Sequence, residues 1–149
     1  MDLNFDPPAE VKDLAARVKD FVKDKIVPYE TDKRWTSHGP TEDLRLEMNA
    51  LAREAGVFAP HVPKEYGGRG IGQVARAYVF EAAGYSVLGP TAIHCASPDE
   101  GNIHLLDHVA RPDQRQHFLR RMATGEIRSI FCMTEPGGAG SDPGMMTTT

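Results

Sequence analysis

The chain has 149 residues, of which 40% are hydrophobic and 26% charged, a balance that supports one folded domain with a core and excludes a disordered chain. The net charge of −4 argues against the basic footprint of a nucleic-acid-binding surface. Two cysteines, Cys95 and Cys132, are too few for a disulfide scaffold and match no metal spacing. No apolar run approaches the roughly 20 residues of a membrane span, and MDLNFDPPAE lacks the basic and apolar regions of a secretory signal, so a cytoplasmic protein with no membrane partner is expected.

Residues 6–27 read as an amphipathic helix, with Asp6 as cap, Pro7 at the first helical position, and Val11, Leu14, Ala15, Val18, Phe21, Val22 and Ile26 recurring at helical spacing. Pro28 should end or kink it, and Tyr29 to Pro40 read as a connection. A second helix is expected over about 41–55, capped by Thr41, with Leu44, Met48, Leu51, Ala52 and Ala55 inward and Gly56 as its stop. VFAPHVPKEYGGRGIG carries too many prolines and glycines for regular structure and reads as a loop. A third helix over about 71–86 places Val74, Ala75, Tyr78, Val79 and Ala82 on one face.

Ser97-Pro98-Asp99-Glu100 has the form of a capping box opening a fourth helix over 98–109. A fifth is expected from Pro112 to about Ala123, with Phe118, Leu119 and Met122 inward and Thr124-Gly125 closing it. The core should draw on Val18, Phe21, Leu44, Met48, Leu51, Val79, Leu106 and Leu119. After Gly125, Ile127, Ser129, Phe131 and Met133 alternate with Arg128, Ile130 and Cys132, which is strand periodicity. The expected organisation is an α-helical unit over 1–126 and the opening of a β unit over 127–149.

The segment FCMTEPGGAGSD, residues 131–142, carries the chemistry. Gly137, Gly138 and Gly140 permit close backbone approach to a ligand, and Thr134 and Ser141 add hydroxyls that donate and accept. Such a loop suits a flat heterocycle with a phosphate-bearing tail; a turn that merely needs glycine is the bland alternative. His104 and His108 lie four apart but lack further ligands, so no metal site is expected. Arg115, Arg120 and Arg121 read as a solvated basic face, Cys132 as a packed small residue, and Trp35 and Tyr66 as loop aromatics of open role.

The pattern F-x-M-T-E-P followed by small residues and S-D resembles the flavin-binding signature of the acyl-CoA dehydrogenase family. PKEYGGRG is similar to that family's P-x-E-x-G-G-x-G loop, and RPDQRQHFLRRMATGEI to the segment before its first strand. The three motifs occur in family order, and the resemblance covers the whole chain but about a third of a typical member. It implies a mainly α fold: the N-terminal helical bundle domain of the family plus the first strand of its middle β-domain. It also implies FAD as cofactor, with Phe131, Met133, Thr134, Gly140 and Ser141 against it and Ser141 also toward the acyl-CoA substrate. The family's carboxylate base comes from a C-terminal domain, so no catalytic residue is assigned here, Glu135 included, and this chain alone should be inactive. The family activity is formation of a 2,3-enoyl-CoA, with electron-transferring flavoprotein as oxidant and homo-oligomeric assembly. An acyl-CoA oxidase or monooxygenase of the same fold, or a non-catalytic helical module, are the alternatives. SPDEGN and four residues between Pro136 and Ser141 resemble one branch, whose eukaryotic members can be fused to a kinase-like domain and favour long acyl chains.

Overall fold

The computed structural model describes residues 6–132, 134–136 and 142–147. Helix α1 (Ala9–Phe21) turns its Val11, Leu14, Val18 and Phe21 inward. Pro8 occupies its N-cap position, and Asp6, expected as the cap, instead pairs with Lys12 at 2.7 Å. Pro28 does not stop the helical path. The chain passes through a π-helical turn (Val22–Ile26) into a 3₁₀ turn (Val27–Thr31), where proline near the start has no amide to lose.

The connection that follows contains a small hairpin, β1 (Trp35–Thr36) antiparallel to β2 (Gly39–Pro40), which a helices-then-strand reading did not foresee. Arg34 fastens it to Asp32, Asp43 and Glu47, and Trp35 packs against the core. Helix α2 (Glu42–Glu54) buries Leu44, Met48 and Ala52, with Leu51 at its edge and Ala55 exposed. Gly56, at φ +67°, ends it: the Gly56 amide donates to Arg53 and the Val57 amide to Ala52, the paired bonds of a Schellman turn.

The Pro/Gly-rich stretch is irregular as expected, yet much of it is interior: Val57, Ala59, His61 and Val62 are buried. Helix α3 (Gln73–Ala83) packs on α1 through Val79 and Ala83, while Val74, expected inward, is 60% exposed. A short helix α4 (Gly89–Ala92), unforeseen in the sequence, is interior and packs on α2. The added backbone approaches so closely at Gly89 that a Cβ would lie 1.9 Å from the Ala83 carbonyl oxygen.

Helix α5 (Asp99–Val109) starts without the expected capping box. The Ser97–Pro98 peptide is cis, the Glu100 amide donates to the Ala96 carbonyl, and the Glu100 carboxylate is taken by Arg76 at 2.8 Å. Ile103 rather than Leu106 is its buried apolar residue; Leu106 is partly covered. The last helical stretch runs through α6 (Pro112–Gln114), a π-helical turn (Arg115–Leu119) and α7 (Arg120–Ala123). The π turn shifts the helical phase, burying Leu119 and Met122 and leaving Phe118 47% exposed against expectation. Two clusters result, one joining α1 to α4, the other Ala59, Val62, Ile103, Leu119, Met122 and Ala123, with Phe58 touching both.

Residues 127–132 form no strand, and Cys132 is exposed rather than packed. An alternating pattern becomes a strand only when a neighbour takes its ladder hydrogen bonds, and none does among the described residues. The fold is nonetheless mainly α, with the helical arrangement that the sequence implies. No helix among the described residues is long and apolar enough to cross a membrane.

Candidate functional site

The Thr134 segment leaves the helical unit through a turn gripped from three sides. Gly125, at φ +71°, closes α7 with the Gly125 amide donating to Met122 and the Glu126 amide to Arg121. The buried guanidinium of Arg45 on α2 donates to the Gly125 carbonyl at 3.1 Å, to Asn49 Oδ1 at 2.8 Å, and through Nε to Glu42 at 2.8 Å. Asn49 in turn donates to the Thr91 and Ala92 carbonyls, tying α4 into the same network. Arg53 donates to the Thr124 carbonyl while its guanidinium lies 3.5 Å from the Phe58 ring centroid. His94, buried after α4, meets the Met122 carbonyl at 2.7 Å. Burial holds the His94 imidazole below its usual titration range, the Met122 contact opposing in part, and hydrogen bonding to Arg45 holds the Glu42 carboxyl low.

Beyond the turn the chain crosses the start of α5. The Ser129 amide and hydroxyl donate to Asp99 Oδ1 at 2.6 and 2.7 Å, and Arg128 Nε lies 3.4 Å from Asp99 Oδ2. Asn102 Nδ2 donates to the Ser129 hydroxyl at 2.8 Å. Between this segment and α5 opens a cleft of about 620 Å³, walled by Pro98, Gly101 and Asn102 on one side and Arg128, Ile130 and Phe131 on the other.

Of the residues singled out in the sequence, Phe131 lines this cleft and is 71% exposed, and Thr134 is exposed beyond it. Met133, Gly140 and Ser141 lie outside the described residues. Glu135 accepts from the Thr147 amide and hydroxyl at 2.8 and 3.0 Å, and Asp142 from the Gly144 amide at 2.9 Å. The described lining offers the apolar surface of Pro98, Ile130 and Phe131, the Ser97 and Ser129 hydroxyls, the Asn102 amide and the Arg128 guanidinium. Ile130 and Phe131 leave apolar surface open at 79% and 71% exposure, and Thr134, three residues beyond Phe131, is exposed as well.

The other candidates have ordinary roles. His104 and His108 sit with ring centroids 4.4 Å apart, yet no group of three or more His, Cys, Asp or Glu is placed to hold a metal among the described residues. Arg115 pairs with Asp107, and Arg121 with Glu126. Tyr66 packs at the second cluster. Asp99, Asn102, Arg45 and His94 were not anticipated as site-shaping residues. The SPDEGN motif held the signal for the first two, but its serine and glutamate read as a capping box.

Residues 8–126 match the family model described as acyl-CoA dehydrogenase, N-terminal domain. A Mycobacterium tuberculosis protein assigned as an acyl-CoA dehydrogenase is 30% identical over 99% of this chain and 37% of its own length. The (R)-benzylsuccinyl-CoA dehydrogenase of Thauera aromatica is 32% identical over 93% of the chain and 36% of its own length. Acyl-CoA dehydrogenase family member 11 of Rattus norvegicus is 29% identical, covering 88% of the chain and 18% of the relative. A solved structure from Mycobacterium abscessus, assigned to the acyl-CoA dehydrogenases, superimposes with a TM-score of 0.75 at 30% identity, covering 93% of this chain and 37% of that one. The chain thus spans little more than a third of the bacterial relatives it matches.

Proposed function

The chain belongs to the acyl-CoA dehydrogenase family through its N-terminal domain, and on that premise we propose that the whole protein oxidises an acyl-CoA to the 2,3-enoyl-CoA with FAD. Bound FAD would supply the acceptor for the β-hydride, and a carboxylate from the family's C-terminal domain would take the α-proton. This chain's own part is to orient and to exclude water. Phe131, Met133 and Gly140 present backbone and apolar surface to the flavin, and Thr134 a hydroxyl. Ser141 serves the flavin and the thioester side of the substrate. Electron-transferring flavoprotein is the expected oxidant of the reduced cofactor, and the working protein is a homo-oligomer. The 149 residues alone, without the base, are inactive.

The observation that carries this reading is the apolar cleft beside Phe131, at the head of the T-E-P segment, on a helical unit that matches the family's own. The test is expression of the protein at the full length of its relatives, with the flavin spectrum recorded and turnover of acyl-CoA thioesters followed with an artificial electron acceptor. A yellow protein that loses its colour in a Gly138→Val, Gly140→Val double variant supports the reading. A protein that folds but takes up no FAD removes it.

A further inference from the structure

We propose that Asp99 and Asn102, the acidic and amide members of SPDEGN, are positioning residues that clamp Ser129 and so set the placement of Phe131 for cofactor and substrate. This rests on the flavin reading of that segment. Asp99 is 3% exposed, and a carboxylate is taken out of water only where donors replace it. Here they come from the two residues just before Ile130: the Ser129 amide at 2.6 Å, the Ser129 hydroxyl at 2.7 Å and Arg128 Nε at 3.4 Å. Asp99 is also the first residue of α5, where the exposed helix amides favour a negative charge.

Asn102 stands three residues on, which places it on the same face of α5. Its amide donates to the Ser129 hydroxyl at 2.8 Å, while that hydroxyl's one proton goes to Asp99. The serine side chain is therefore held by both helix residues at once, and its rotation is fixed from two directions.

Among the described residues, nothing else fastens the segment to the helical unit so closely. Among the described residues from Arg128 to Thr134, the Ser129 amide is the one backbone group with a hydrogen bond. Ile130 and Phe131, immediately beyond, are 79% and 71% exposed and are not anchored by burial. The direction in which Phe131 enters the cleft is thus decided at Ser129. Gly101, between the two clamp residues, keeps the facing wall of the cleft free of a side chain, with nothing within 4 Å of where a Cβ would stand.

The test combines local and cofactor readouts. In this chain, Asp99→Asn and Ser129→Ala should each speed exchange of the Ser129 amide, about tenfold or more, while amides of α1 and α2 keep their rates. Ser129→Thr, which keeps hydroxyl and amide, should restore protection. Ser129→Ala removes one hydroxyl from a partly exposed site and tests the clamp even if Asp99 variants fail to fold. In the protein at full family length, the same variants should weaken FAD retention and alter the flavin absorption envelope, with Thr again restoring both. Unchanged amide exchange in both Asp99→Asn and Ser129→Ala overturns the clamp itself. Faster exchange with unaltered FAD affinity and spectrum in a flavin-binding protein overturns its positioning role. A wild-type protein that binds no flavin, with the exchange effect intact, removes the flavin reading and the positioning role together but leaves the Asp99–Ser129 attachment standing.

Discussion

His94 Nε2 stands 2.7 Å from the Met122 carbonyl oxygen, joining the end of α4 to the last turn before Gly125. A carbonyl only accepts, so Nε2 carries the proton and the neutral ring suffices. The ring also stacks on Phe58, with centroids 5.2 Å apart and planes 3° from parallel. His94→Ala removes the donor and one face of the stack from a buried position. It should lower unfolding free energy by about 2 kcal/mol. Urea unfolding with an unchanged slope measures this, and a loss under about 0.5 kcal/mol would show that the contact holds nothing.

A second histidine should make the fold acid-sensitive. His61 is 2% exposed, neither ring nitrogen has a hydrogen-bond partner among the described residues, and its edge meets the Phe80 ring. Burial pushes its titration down to about 3, unfavourable charge interactions with His94, Arg76 and His104 acting in the same direction, and Glu100 is engaged by Arg76. The folded state disfavours the proton, so the unfolded state binds more protons below its ordinary titration near 6.5. Stability should then fall as pH drops from about 6.5 toward 3, by at most about 1.4 kcal/mol per unit from this group. His61→Leu should flatten that slope. An unaltered pH dependence of the unfolding midpoint in His61→Leu would assign the acid limb to other groups.

The helical framework was legible because its signals are local. Apolar spacing gave the buried faces of α1 and α2, and Gly56 and Gly125 stand at the left-handed positions that end α2 and α7. What stayed hidden depends on distant partners. The phase of the last helix moves at the π turn, which no residue type announces, so Phe118 was placed inside. Val57, Ala59 and Val62 were passed over because a Pro/Gly-rich loop is normally at the surface, while here it supplies core. Of the candidate site, the T-E-P segment was visible as a motif, whereas the Asp99–Ser129 attachment spans 30 residues and has no periodicity to read.

The start of α5 gives a discriminating pair of substitutions. Ser97 caps nothing, so Ser97→Ala should shift unfolding free energy by less than about 0.5 kcal/mol, where a true N-cap would cost about 1. Gly101→Ala, within α5 and with open space at the Cβ, should stabilise by about 0.5–1 kcal/mol through helix propensity while narrowing the cleft. Parallel denaturation curves of the two variants check both, and destabilisation by Ser97→Ala would restore the capping box.

The last prediction concerns Arg45, whose side chain is 2% exposed although its partner Glu42 is 61% exposed. The guanidinium places four hydrogen bonds through its planar fork: Nε and Nη2 toward the Glu42 carboxylate, Nη1 to Asn49 at 2.8 Å, Nη2 also to the Gly125 carbonyl at 3.1 Å. Arg45→Met fills similar volume but leaves Asn49 Oδ1 and the Gly125 carbonyl without this donor. Glu42 can return to water, so no buried charge is stranded, and the cost should be about 2–4 kcal/mol. Arg45→Lys keeps the charge but cannot reach three acceptors lying in one plane, and it should cost nearly as much. The pH dependence separates charge from geometry. Glu42 titrates low in the fold, so its contribution is present above its unfolded pKa and disappears as pH falls through the lowered folded value. That acid limb should vanish in Arg45→Met and persist, weakened, in Arg45→Lys. If Arg45→Lys unfolds at the wild-type midpoint, a point charge suffices, and the guanidinium fork does not hold the Gly125 turn.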